Sequence, residues 1–123
     1  MSVAALVFPI GSASADSPSI TTNGPGSCLF KLQNTNYNWG HGHAVGTSGT
    51  PCSLRIQQRR FDGNGGGQPI YSYGTPVTTT VNSGASGGWN TGDMYFGDNI
   101  HQLQVCGWTN VNPTVRCTGW YGV

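Results

Sequence analysis

Two segments of the chain repeat one alternation. In Cys28-Leu29-Phe30-Lys31-Leu32-Gln33 the residues Cys28, Phe30 and Leu32 share a side, and Cys52-Ser53-Leu54-Arg55-Ile56-Gln57 places Cys52, Leu54 and Ile56 inward with Ser53, Arg55, Gln57 and Arg59 outward. A period of two is that of a half-buried strand, whose successive side chains leave opposite faces. Residues 59–61 and 70–73 read as hairpin arms separated by Asp62-Gly63-Asn64-Gly65-Gly66-Gly67, a stretch that cannot hold regular structure cheaply. Val77-Thr78-Thr79-Thr80-Val81 is β-branched throughout and unsuited to a helix interior. Asn82 to Asp93 predicts a long loop, residues 94–96 and 100–108 predict strands, Thr109 to Pro113 a turn, and residues 115–121 a closing strand. Every helical period along the chain is broken by Gly or Pro. Short strands between Gly-rich and Asn-rich turns predict an all-β fold, a small antiparallel β-sandwich or barrel.

Composition sharpens this picture. The chain has 123 residues, of which 36% are hydrophobic, 11% aromatic and only 7% charged, so it has material for one folded domain rather than a charged, disordered tail. A net charge of +1 gives no electrostatic basis for nucleic acid or an anionic membrane as partner. Residues 3–10 form an uncharged apolar run, and Ala13-Ser14-Ala15 follows it in the small-x-small pattern of a signal peptidase site. Residues 1–15 therefore read as a signal peptide truncated at its basic start, 16–27 as a flexible N-terminal arm, and 28–123 as the β-sandwich domain. No segment reaches the ~18 apolar residues that membrane insertion as a helix needs.

Four cysteines behind an export signal predict two disulfides in a secreted, extracellular protein. Four cysteines allow three pairings; the expected one joins Cys28 to Cys52 and Cys106 to Cys117, each pair bracketing a polar turn region on neighbouring strands. Each loop closure is worth about 3 kcal/mol in the chain-entropy picture. Without a Cys-x-x-Cys spacing the cysteines fit no zinc knuckle, and no metal or cofactor is expected.

The segment from Asn36 to Val45 carries the main candidate chemistry. Extended, it sends Tyr37, Trp39, His41 and His43 to one face, and Asn36, Asn38, Gly40, Gly42 and Ala44 to the other. Exposed aromatic rings of this kind stack on sugars, whereas a His-x-His would need a third ligand such as His101 to hold zinc or copper. The bland alternative is a core-facing aromatic strand with solvated histidines. Trp89 and Tyr95 complete the expected ligand-binding set, near Asp93, Asp98 and His101. Thr91-Gly92-Asp93-Met94-Tyr95 is similar to a short segment of the secreted guanyl-specific microbial ribonucleases, but Met94 stands at the catalytic His, and the chain contains no Glu. No nucleophile elbow, phosphate loop or metalloprotease motif occurs, so no catalytic residue is assigned. Arg55, Arg59 and Arg60 read either as a grip for a carboxylate or as a solvated strand face, and Trp108, Trp120 and Tyr121 as filling of the core or its rim.

In its Ala-x-Ala leader, four cysteines, Gly-rich and Thr-rich strands and near-neutral charge, the chain resembles the small secreted β-proteins of actinobacteria. The resemblance is one of overall design; the α-amylase inhibitors of that class have other cysteine spacings and an aromatic-basic triplet that is not reproduced here. The expected function is a non-enzymatic binding module for a saccharide or cell-envelope polymer. The alternative is an inhibitor or toxin that presents the Asn82 to Asp93 loop, with Trp89 at its tip, to an extracellular protein.

Overall fold

The structure, a computed structural model, describes residues 16–22, 28–36, 38–47, 51–81, 89–96, 100–111 and 113–122. Its strands are β1 (Ile20–Thr21), β2 (Cys28–Asn36), β3 (Trp39–Thr47), β4 (Cys52–Gly65), β5 (Gln68–Tyr73), β6 (Val77–Val81), β7 (Trp89–Asn90), β8 (Met94–Tyr95), β9 (His101–Thr109) and β10 (Arg116–Cys117). They form two antiparallel sheets. The first runs β1-β2-β3-β7 with β8 also on β3; the second runs β10-β9-β4-β5 with β6 also on β4.

The period-two segments supply the core: Cys28, Phe30 and Leu32 of β2 and Cys52, Leu54 and Ile56 of β4 are buried with Ala44, Phe96, Leu103 and Val105. Phe30 reaches the opposite sheet over Gly107, where an added Cβ would lie 2.8 Å from the ring. Both expected disulfides are present, Cys28–Cys52 and Cys106–Cys117. Cys106 and Cys117 do face each other on neighbouring strands. Cys28 and Cys52 do not: they lie on different sheets and tie the two layers together, because both belong to inward-facing rows.

Three boundaries differ from the expectation. Residues 16–22 are not a free arm but lie along β2, with Ile20 opposite Phe30; residues 1–15 and 23–27 fall outside the described part. Their polar side chains make this pairing, since Asp16 accepts from Lys31 Nζ at 3.2 Å and from the Asn34 N–H at 2.7 Å. The hairpin connection is also shorter than expected. β4 continues through Asp62–Gly65, a register shift between Phe61 and Asn64 absorbs Gly63, and Gly66 and Gly67 alone turn the chain, both at positive φ as a two-residue hairpin turn demands. Finally, Trp89 is not at a loop tip: its backbone pairs with Ala44 in β7, while residues 82–88 lie outside the described part.

One device recurs where short segments meet long strands. The Ser17 N–H donates to the Leu32 carbonyl while its Oγ accepts from the Leu32 N–H, both at 2.9 Å. Thr22 does the same with Cys28, Thr91 with Gly42, and Thr118 with Val105. In each case a hydroxyl takes the place of a backbone carbonyl, so four buried polar residues pair the N–H groups of Leu32, Cys28, Gly42 and Val105.

Candidate functional site

The outer face of the first sheet carries the Trp39–His43 segment, which is extended as expected. Gly40, Gly42 and Ala44 turn inward: a Cβ on Gly40 would stand 3.0 Å from Phe96, and one on Gly42 the same distance from Val105. Trp39 and His43 face outward. Trp39 is 44% exposed and meets Tyr95 edge to face, ring centres 5.5 Å apart, because the two are paired residues of β3 and β8. Tyr95 in turn meets His101 at 5.8 Å.

His41 is only 5% exposed although it points away from the core. Its Nε2 meets Gln33 Oε1 at 2.8 Å; its Nδ1 meets Asp93 Oδ1 at 3.1 Å and the Thr35 hydroxyl, which itself donates to Asp93 Oδ1 at 2.6 Å. Both ring nitrogens are thus engaged within the protein. Thr35 and Asp93 meet the same nitrogen, so the trio lacks the relay geometry in which the carboxylate holds one nitrogen and the other faces the nucleophile. Among the described residues no three His, Cys, Asp or Glu side chains are grouped to hold a metal ion. Tyr37 and the Trp89 side chain lie outside the described part.

The outer face of the second sheet gathers aromatic residues that the sequence reading left scattered. Arg59 stands opposite Tyr73, and Phe61 opposite Tyr71, so strand parity brings all four to one side. The Arg59 guanidinium carbon lies 3.7 Å from the centre of the Tyr71 ring and 4.6 Å from that of Trp120, and its Nε donates to Gln102 Oε1 at 2.8 Å. Tyr73 touches Tyr71 at 6.4 Å and Trp120 at 5.7 Å, and Phe61 touches Tyr71 at 5.9 Å. Tyr73 is 56% exposed and Phe61 37%. Further along the same face Arg55 lies 5.7 Å from the Trp108 ring centre.

An open depression of about 250 Å³ is lined by His101 and Tyr73 together with Gln58, Arg60, Ser72 and Gly74. Beside it, the Ser72 hydroxyl donates to Asp62 Oδ2, and Arg60 Nε donates to Asp62 Oδ1 at 2.8 Å. These bonds, Ser72 first, hold the Asp62 carboxyl below the usual carboxylate range. Arg60 is thereby neutralised on the side of β4 opposite to Arg59.

Of the six residues expected to bind a ligand, the structure brings Trp39 and Tyr95 together, engages His41 in a buried network and leaves His43 half-buried. Sequence reading did not single out Phe61, Tyr71, Tyr73 or Trp120 for binding. The available signal was the alternation of Arg59 with Phe61 and of Tyr71 with Tyr73 on either side of a Gly-Gly turn. Comparison with known proteins finds no match, neither a family model nor a curated protein nor a solved structure. No helix among the described residues is long and apolar enough to cross a membrane.

Proposed function

We propose that the protein is a secreted, non-enzymatic module that binds a saccharide chain on the outer face of the second sheet. The observation that carries this reading is the cluster of Tyr71, Tyr73 and Trp120 around Arg59, with Tyr73 more than half exposed. Aromatic faces take the apolar side of a sugar ring, and neighbouring amides serve its hydroxyls. Gln57, Gln102 and Gln104 point to this face. Each has one amide group bonded within the protein, to Gly74, Arg59 and Thr118 respectively, which fixes its orientation and leaves further donor or acceptor capacity. Two disulfides are consistent with an extracellular setting.

The tilt of the rings narrows the ligand. Tyr71, Tyr73 and Trp120 meet at interplanar angles of 57° and 66°, so no flat polymer surface contacts them all. A single twisted chain can. Tryptophan fluorescence titrations of the oxidised protein with soluble oligosaccharides of cellulose, chitin, bacterial cell wall and acidic plant or algal polysaccharides test the reading. At least one is expected to bind, with Tyr73→Ala weakening it by about tenfold and Trp39→Ala, on the first sheet, leaving it unchanged. Absence of binding by every oligosaccharide would overturn it.

A further inference from the structure

We infer that the saccharide is acidic, with Arg59 receiving the carboxylate of a uronic acid residue; this rests on the saccharide reading above. Among the described residues the carboxylates are already committed, Asp16 to Lys31, Asp93 to His41 and Asp62 to Arg60. Arg59 forms none of these ion pairs. Its charge lies instead against the Tyr71 and Trp120 rings, and of its five N–H donors the one at Nε serves the neutral Gln102. Stacking covers a guanidinium's faces but leaves its in-plane donors able to bond, the arrangement that suits planar, bidentate recognition of a carboxylate.

The surroundings are fixed in the same sense. Gln102 and Arg59 are paired residues of β9 and β4, so sheet register holds the bond that orients the guanidinium. The exposed Tyr73 ring is the residue directly opposite Arg59 on β5. A sugar ring resting on Tyr73 therefore carries a substituent within the reach of the guanidinium, and an anionic substituent gains a charge-assisted bond where a hydroxymethyl group gains a weaker one. Asp62, the nearest acid along β4, lies on the other side of the strand and holds Arg60 there, so it does not compete.

The test compares oligogalacturonate, oligoglucuronate and alginate oligosaccharides with their own methyl esters, which keep the rings and remove the charge. At least one acid is expected to bind the wild-type protein about tenfold more tightly than its ester at low salt, with the difference shrinking as salt is added. Arg59→Gln is expected to bring acid and ester to equal affinity, and Arg59→Lys, which keeps the charge but loses the planar fork, to restore only part of the difference. Equal binding of every acid and its ester, or binding of neutral oligosaccharides alone, would overturn the inference while leaving the saccharide reading in place. Failure of all saccharides to bind would overturn both. The acid and ester comparison uses the unaltered protein, so it decides even if a variant fails to fold.

Discussion

The outer faces of the two sheets are made of similar residues and arranged to opposite ends. On the first, His41 is closed in by Gln33, Thr35 and Asp93, so its polar atoms are satisfied within the protein. On the second, Arg59 is oriented by Gln102 and two aromatic rings and meets no carboxylate among the described residues. A side chain whose partners are all internal serves stability. One that is held rigid with donors to spare is ready for a ligand, because little orientational entropy remains to be lost on binding. Residue type alone therefore does not mark a site; the histidines invite attention in the sequence, yet the structure draws it to the arginine.

The largest test of this contrast acts on the tie between the two layers. Replacing Cys28 and Cys52 together by Ala is expected to lower stability in urea unfolding by about 3 kcal/mol, as loss of a loop closure of this size predicts. Next comes the closed network: His41→Leu leaves Gln33 and Asp93 without their central partner and is expected to cost about 2 kcal/mol while leaving saccharide affinity unchanged. Tyr73→Ala should do the reverse, weakening saccharide binding about tenfold and changing stability by less than about 1 kcal/mol, since the side chain is largely exposed. Thr91→Val removes the hydroxyl that accepts from the Gly42 N–H at 2.8 Å, and a loss of about 1 to 2 kcal/mol is expected with no effect on binding.

The smallest effect is at Asp62. Its folded-state pKa lies below the usual value of 3.8, so its carboxylate favours folding above that value, and the contribution is lost as pH falls through the folded pKa. Thermal melts should therefore show Asp62→Asn less stable than the wild type at neutral pH, with the gap closing in strong acid. A gap that widens on acidification would contradict the assignment.

Much of the fold was legible because the apolar rows of β2 and β4 alternate without interruption, and because four cysteines, two of them in those rows, allow only three pairings. What was not legible depended on partners distant in sequence. The pairing of residues 16–22 with β2 rests on Asp16 and Ser17, polar residues that read as solvated until Leu32 and Asn34 are placed beside them. The β4–β5 register depends on a bulge near Gly63, and without it Phe61 and Tyr71 could not be set opposite each other. Trp120 joins the same face only because Tyr121 bridges to Leu103 across the second sheet. In the Trp39 segment the alternation was legible but the side that faces inward was not; the flat side does, and His41 is closed in by Gln33 and Thr35 together with Asp93, more than fifty residues away in the chain.

The proposed ligand face is that of Arg59, Tyr71, Tyr73 and Trp120. Amide chemical shifts recorded while the oxidised protein is titrated with the tightest-binding oligosaccharide test it most directly. The largest changes are expected on residues 59–61, 71–73 and 118–121, with residues 31–35 and 41–44 unmoved. Changes centred instead on Gln33, His41 and His43 would contradict it and move the site to the first sheet.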